Sequence, residues 1–388
     1  MSRTRQTLLW MAGLSLVTLC LGVLREFWIA RELRASGAAD LFFRGLVVVG
    51  AARAFGTSLF RSRWIPVPLT VPARALLRVE AGTCAAISGA GLVALVLIAG
   101  VPALAEPSLW VFAAAVPLAT IGSAVRALAE RAGLERRGFV LEWALPVGAI
   151  AGALLLPGGA LGPAAGILAG LVLGVLALLP PALSDRSQGS GPEGQVGASA
   201  SDAGRTRVLL LDAALSHVFV AGGFALLNYA YLFVNAALMV PSAAATVVGL
   251  RVSAGGDPAA QGQLRRWAVL AGLACAGLAA AVGLLLGQAW VAARVDAAVG
   301  WSLAAGIAEL VLWSAPFAGL RLANTIGRQF VIATEPRRVL VWDLAGLGGR
   351  ALILGLGAAL FGLKASPIGL AFAELVQVGA WWRVSRSR

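Results

Sequence analysis

LLWMAGLSLVTLCLGVL, residues 8–24, is an apolar run of 17 residues, and REFWIARELRASGAADLFFR, residues 25–44, follows it with seven charged residues in twenty. The first stretch alone comes close to the roughly 20 apolar residues that span a hydrocarbon core about 30 Å thick. Similar runs recur along the 388-residue chain, which is 59% hydrophobic and 13% charged, with a mean hydropathy of +0.86. A soluble globule cannot hide that much apolar surface, so the composition predicts a polytopic membrane protein. The runs lack the two-residue alternation of barrel strands, and backbone groups in lipid must be satisfied within their own segment, which leaves helices. The expected fold class is all-α.

The pattern places helices near 7–30, 37–60, 82–104, 108–128, 138–157, 161–182, 207–227, 229–250, 266–290, 300–323, 338–361 and 366–384, twelve spans in all. The formal net charge of +13 does not point to nucleic acid, because Arg and Lys collect in every second loop. Chiefly Arg31, Arg34, Arg294 and Lys364 fall on the opposite side. By the positive-inside rule both termini are expected in the cytoplasm, and the protein in a bacterial inner membrane. The first helix follows Arg3 and Arg5 as a signal peptide would, but no small-x-small cleavage site follows it, and Leu19 before Cys20 spoils a lipoprotein site. It is expected to stay as an uncleaved anchor.

Cys20, Cys84 and Cys275 all fall within expected spans, and with His217 as the only histidine they predict neither a metal site nor a disulfide framework. No Walker A, HExxH or nucleophile-elbow pattern occurs, so enzymatic chemistry is not expected.

The long polar stretch at 184–207, rich in Gly, Ser and charge, reads as a flexible linker. It divides the chain into an N-lobe (1–182), a linker (183–206) and a C-lobe (207–388) of six helices each. Internal similarity supports a duplication. RTR at 3–5 recurs at 205–207, Arg136, Arg137 and Glu142 recur as Arg337, Arg338 and Asp343, and Pro163 with AGLV at 169–172 recurs as Pro367 with AELV at 373–376. Six spans per lobe return the second lobe in the orientation of the first, a parallel repeat. Glu142 and Asp343, shared by both lobes and each beside a Trp, read as structural residues near the interface. Arg350 and Glu374 have no charged counterpart and are better functional candidates.

Arg44 and Arg53 bracket GLVVVGAA, which as helix covers only about 12–14 Å, so one of them sits at membrane depth. Asp40 pairs with Arg44 at i, i+4 near the outer end of the second helix. Arg53 lies about 20 Å further in than Asp40 and faces away from Arg44. A charge at that depth costs at least about 3 kcal/mol and should face protein or a water-filled cavity, so Arg53 needs an anion. Arg25 sits in the outer half of the first helix, able to project inward or to snorkel to headgroups. In the second lobe Glu309, Arg350 and Glu374 lie about 14–18 Å from their cytoplasmic ends on three successive helices. They are expected to form one buried cluster, either a self-satisfied ion pair or an element that couples transport to H+ or Na+. Asp212 and His217 are lesser candidates for that role.

Gly22, Arg25, Glu26, Ala30, Ala35, Ser36, Asp40, Phe42, Phe43 and Arg53 together resemble the first two helices of the MurJ-type lipid II flippases. The family pattern runs Gly-x-x-Arg-acid, an Ala, a Gly-Ala turn, Asp-x-Phe-Phe and an Arg in the second helix. Weaker similarity covers MVPSA at 239–243 and FVIATEPRR at 330–338. The resemblance implies a superfamily of multidrug and oligosaccharide-lipid exporters built as two six-helix lobes that work by alternating access. It implies a functional role for Arg25, Arg53 and Asp40. Arg25 and Arg53 are accordingly expected to bind a polyprenyl-diphosphate headgroup, and Asp40, Arg44 and Glu26 to form an outer gate. Guanidinium groups suit such a headgroup because they make bidentate contacts with phosphate oxygens. The chain departs from the family at Ala236, where an Arg is usual, at Arg34 in place of the turn Gly, and in ending after twelve expected helices without the two further ones. These departures separate the superfamily from lipid II as the specific cargo.

The expected function is therefore a flippase for a polyprenyl-diphosphate-linked saccharide. Its partners are the lipid-linked saccharide, membrane lipids and the enzymes of envelope-polysaccharide synthesis. It needs no cofactor beyond a coupling H+ or Na+. A cation-coupled multidrug or metabolite exporter of the same superfamily is the alternative, and a non-transporting scaffold for envelope assembly is a third.

Overall fold

The computed structural model describes residues 3–64, 71–183, 210–235, 237–238, 258–286, 301–334 and 336–386. The expected linker beyond Leu183, Ala236 and residues 239–243 lie outside them. Among the described residues there is no strand, and seven segments are long and apolar enough to cross a membrane. The protein is an all-α, multi-pass membrane protein. Its chain divides into two compact units, Met1–Ala214 and Leu215–Arg388.

In the first unit the helices are α1 (Arg3–Leu33), α2 (Gly37–Trp64), a short α3 (Ala73–Val79), α4 (Ala81–Ala99), α5 (Pro107–Arg131), α6 (Glu135–Leu155) and α7 (Leu161–Leu183), and α8, described over 210–215, ends at the boundary between the units. The α1–α2 turn is set by its own residues. Arg34 adopts a left-handed conformation (φ 52°) and its N–H bonds to the Ala30 carbonyl at 2.9 Å, which ends α1. Ser36 then caps α2, its hydroxyl oxygen accepting the Ala39 N–H at 3.3 Å. A left-handed residue is where a glycine would be expected, and Arg34 occupies that place here.

α5 is the centre of this unit, packed by α2, α4 and α7. Phe112, Ala115, Val116, Ala119 and Ala124 are all fully buried along it. α6 and α7 meet along a seam of small residues, Ala144, Gly148 and Gly152 against Gly162, Gly166 and Gly170. Backbone lies directly on backbone there: a Cβ on Gly166 would collide with the Gly148 carbonyl oxygen, and one on Gly170 with that of Ala144. This four-residue spacing of small residues lets helices approach where no hydrophobic effect drives them together. Leu97 and Leu155, 73% and 78% exposed, face outward as lipid-facing side chains should.

The second unit contains α9 (223–235), α10 (Pro258–Leu286), α11 (Trp301–Thr334), α12 (Pro336–Phe361) and α13 (Ala365–Arg386). α10 packs along α11 with Gly272 against Gly319, and α13 packs on both α11 and α12.

Several boundaries differ from the sequence expectation. The helix expected at 82–104 stops at Ala99, because Gly100 takes φ 84° and Pro102 follows. The helix expected over 207–227 is broken by a 3-10 turn at Ser216–Val218 and a bend through Gly222 (φ 84°), so α9 starts six residues early. α2 and α5 run on to Trp64 and Arg131, past the expected ends at 60 and 128. α11 continues to Thr334, eleven residues past the expected 323, with Pro336 at once opening α12. The last two differences move charged residues from expected loops into helices.

Candidate functional site

Arg53 lies 16 residues past Gly37, about 24 Å along α2, and its deep guanidinium has found an anion. Its Nη2 is 2.8 Å from Oε2 of Glu142 on α6. The other oxygen of Glu142 accepts from Arg126 on α5, and the Nε of Arg126 is 3.0 Å from Oε1 of Glu130 one turn along. Glu130 in turn accepts both Nε and Nη2 of Arg61, back on α2. The result is a ladder, Arg53–Glu142–Arg126–Glu130–Arg61, that ties α2, α5 and α6 together. Three guanidinium groups against two carboxylates leave it one positive charge.

Arg53 is the most open member, with 25% of its side chain exposed, against 14% for Glu142 and 12% for Arg126. Ser123 on α5 reaches the Arg53 carbonyl at 2.8 Å, and Gly56 lets α2 come that close, since a Cβ there would sit 3.1 Å from the Ser123 Cβ. A small cavity beside the guanidinium groups is lined by Arg53, Thr57, Gly122, Ser123, Arg126 and Leu141. Read as a structural interfacial residue in the sequence, Glu142 is here the partner of the deepest arginine of α2. Arg126, Glu130 and Arg61 were not singled out by sequence. Arg61 and Arg126 lay at or near the expected helix ends, where a charge is unremarkable, and the i, i+4 spacing of Arg126 and Glu130 inside an apolar helix was the available signal.

The other candidates in this unit are placed separately. Arg25 donates from Nε to the neighbouring Glu26 Oε1 at 3.1 Å, and Glu26 is buried. Arg25 is eight residues before the end of α1, about 12 Å from the α1–α2 turn, whereas Arg53 is about 24 Å from it. The two arginines therefore stand at different depths. Asp40 is buried in the first turn of α2, where a carboxylate also suits the helix dipole, and it attracts Arg44 electrostatically one turn on. Arg31, Glu32 and Arg34 are exposed, with Arg31 over the Trp28 ring at 5.0 Å. Asp212, on α8, is fully buried and falls in this unit, not in the one that holds Glu309, Arg350 and Glu374.

At the foot of α2, Arg63 Nη1 lies 2.8 and 2.9 Å from the two carboxylate oxygens of Glu80, which joins α3 to α4. A hydrogen bond with the Thr83 side chain, and then Arg63, hold the Glu80 carboxyl below the usual carboxylate range against the opposing effect of burial.

In the second unit the expected cluster of Glu309, Arg350 and Glu374 is not formed as one buried group. Glu309 pairs with Lys364 at 2.6 Å, its side chain is 54% exposed, and Lys364 also lies over the Trp313 ring. The length of α11 is the reason. Glu309 is 25 residues from Thr334, about 38 Å, and only about 12 Å from the Trp301 end, so it does not share the depth of about 14–18 Å expected for the three residues. Glu374 is buried, and α11 supplies its partners: Arg321 Nη1 at 2.7 Å and Asn324 Nδ2 at 2.6 Å. Asn324 also donates to Gln377, one turn further along α13. Arg350 is buried beneath α13, where a Cβ on Gly369 would come within 3.1 Å of its Cγ. His217 is exposed in the 3-10 turn.

No protein-family model matches the sequence, and no curated protein matches it. Solved structures do. The lipid II flippase MurJ in an inward closed conformation is similar with a TM-score of 0.71 at 10% identity, over 98% of this chain and 87% of MurJ. An inward-facing multidrug resistance MATE family transporter of the MOP superfamily is similar with a TM-score of 0.62 at 14% identity, over 96% of this chain and 94% of that one. Helix order, membrane-spanning character and these two likenesses agree on one architecture: the chain shares its fold with the solved flippase and with the solved multidrug transporter.

Proposed function

We propose that the protein is a flippase that moves a polyprenyl-diphosphate-linked saccharide across the bacterial inner membrane by alternating access between two six-helix lobes, with both termini in the cytoplasm. The observation that carries this reading is the arginine-rich ladder inside the first unit. A guanidinium about 24 Å along a membrane helix is costly to place and is retained where an anion has to be met. Arg53 presents such a group beside a cavity, with a second guanidinium, Arg126, one carboxylate away. Bidentate guanidinium contacts suit a diphosphate better than any neutral or cationic cargo. Arg25, paired only with its neighbour Glu26 among the described ion pairs, is assigned to an earlier or later contact with the same headgroup at a different depth. Asp40 with Arg44, and Glu26, are assigned to the gate at the α1–α2 end.

The fold is shared with a lipid II flippase and with a multidrug transporter, and the ladder favours the anionic lipid cargo. Native mass spectrometry of the purified protein tests this: a co-purifying polyprenyl-diphosphate lipid is expected, and bulk phospholipid alone argues for the other cargo class.

One observation favours a second reading, a cation-coupled exporter. Glu374 is a buried carboxylate on α13 facing an amide and a guanidinium of α11, a setting in which a proton or Na+ can be exchanged. In that case Glu374→Gln abolishes ion-driven drug efflux from proteoliposomes.

A further inference from the structure

Resting on the function proposed above, we infer that Arg53 and Arg126 form a two-guanidinium seat for a dianionic phosphate headgroup, and that Glu142 is its built-in competitor. Glu142 spends one carboxylate oxygen on each arginine, so it bridges two cations carried by different helices as a bound oxyanion does. A phosphate group offers more oxygens and more charge to the same two forks.

The rest of the ladder suits an exchange of partners. Glu130 holds Arg126 through its Nε, the nitrogen that Glu142 does not use, and Arg61 pins Glu130. Arg126 therefore keeps its place when Glu142 leaves. Charge changes in the required direction: with Glu142 in place the five side chains sum to +1, and with it swung out the remaining four sum to +2, matching a dianion. Access is from Arg53, the most exposed of the five. The neighbouring cavity, about 10 Å³, has room for about one water, so the phosphate takes the place that Glu142 vacates. The helix that carries Glu142 is fixed by its glycine seam with α7, so the exchange is a side-chain movement.

An internal carboxylate sets a threshold for entry. A monoanionic phosphodiester headgroup, which every membrane phospholipid offers in excess, gains no charge advantage over Glu142. A diphosphate does. Glu142 is thus a specificity residue that works by excluding the abundant wrong ligand, the repulsive half of recognition.

The test is a binding titration of the full chain in detergent with three probes: polyprenyl diphosphate, inorganic pyrophosphate and phosphatidylglycerol. The wild type should prefer the diphosphates. Glu142→Gln should lose that preference, with phosphatidylglycerol affinity rising about tenfold or more, as expected when a charged competitor for two charge-assisted hydrogen bonds is removed. Pyrophosphate should also raise the melting temperature of Glu142→Gln more than that of the wild type. Should Glu142→Gln not fold, Glu142→Asp keeps the charge but is one methylene too short to bridge both arginines, and a partial loss of preference is expected. Diphosphate binding that is lost in Arg53→Ala, with the preference unmoved in a folded Glu142 variant, overturns the competitor role and leaves the function standing. No diphosphate binding by the wild type or by Glu142→Gln overturns both.

Discussion

Arg53 of α2 and Glu142 of α6 meet at 2.8 Å within the first unit, so the deepest arginine of α2 is neutralised by a carboxylate from another helix. That contact explains how a charge can be carried at such depth. It also makes the neighbouring Arg126 part of the same electrostatic object.

The pair should behave as a coupled unit. Arg53→Ala takes one of its two guanidinium partners from Glu142, and Glu142→Ala takes the shared carboxylate from Arg53 and Arg126, each at a cost of about 1–3 kcal/mol, less than for a fully buried pair because Arg53 is a quarter exposed. The double variant should lose clearly less than the sum of the two. Thermal unfolding of the four proteins in one detergent measures the coupling, and strict additivity speaks against a direct interaction.

The α6–α7 seam makes a steric prediction. Gly166→Ala puts a methyl group where the Gly148 carbonyl oxygen lies, and the helices must separate, at about 1–3 kcal/mol. Gly158→Ala, in the loop between them, meets no atom within 4 Å but has φ 103°, so its cost is backbone strain alone. Only the seam variant should loosen α6 from α7, read as increased hydrogen exchange along both helices.

Acid should release the foot of α2. The Glu80 carboxyl is held low by Thr83 and Arg63, so its contribution is complete above its unfolded value of about 4.3 and is lost as pH falls through the lower folded value. Wild type and Glu80→Gln should therefore differ in melting temperature at about pH 6 and converge as the pH falls below the lowered folded value of Glu80. A difference that persists unchanged into acid contradicts the assignment.

Two acids of the second unit should respond very differently to neutralisation. Glu309→Gln removes a half-exposed pair and should cost under about 1 kcal/mol. Glu374→Ala leaves Arg321 and Asn324 facing an empty buried position and should cost about 3–5 kcal/mol. Comparable losses in the two variants are incompatible with the observed environments.

Much of the architecture was legible because membrane helices announce themselves by length and hydropathy. The α1–α2 turn, the depth of Arg53 and its need for an anion followed from counting residues at 1.5 Å each. The identity of that anion did not follow. Glu142 is 89 residues from Arg53 in sequence, and pairing across α2, α5 and α6 is decided by which faces the glycine seam and the α5 core bring together. Arg126 and Arg321 were hidden for another reason. Expected ends at 128 and 323 placed them at the membrane surface, where charges attract no notice, and the observed helices run on to Arg131 and Thr334. The same difference in length moves Glu309 away from the depth expected for it, since α11 runs on to Thr334.

The most direct test of the central claim is reconstituted flipping of a fluorescent polyprenyl-diphosphate saccharide by wild type, Arg53→Ala and Arg53→Lys in proteoliposomes, with reconstitution efficiency matched. Loss of flipping in Arg53→Ala, with partial retention in Arg53→Lys, is the predicted result, because lysine keeps the charge but not the bidentate fork. Flipping by a folded Arg53→Ala at the wild-type rate contradicts the account.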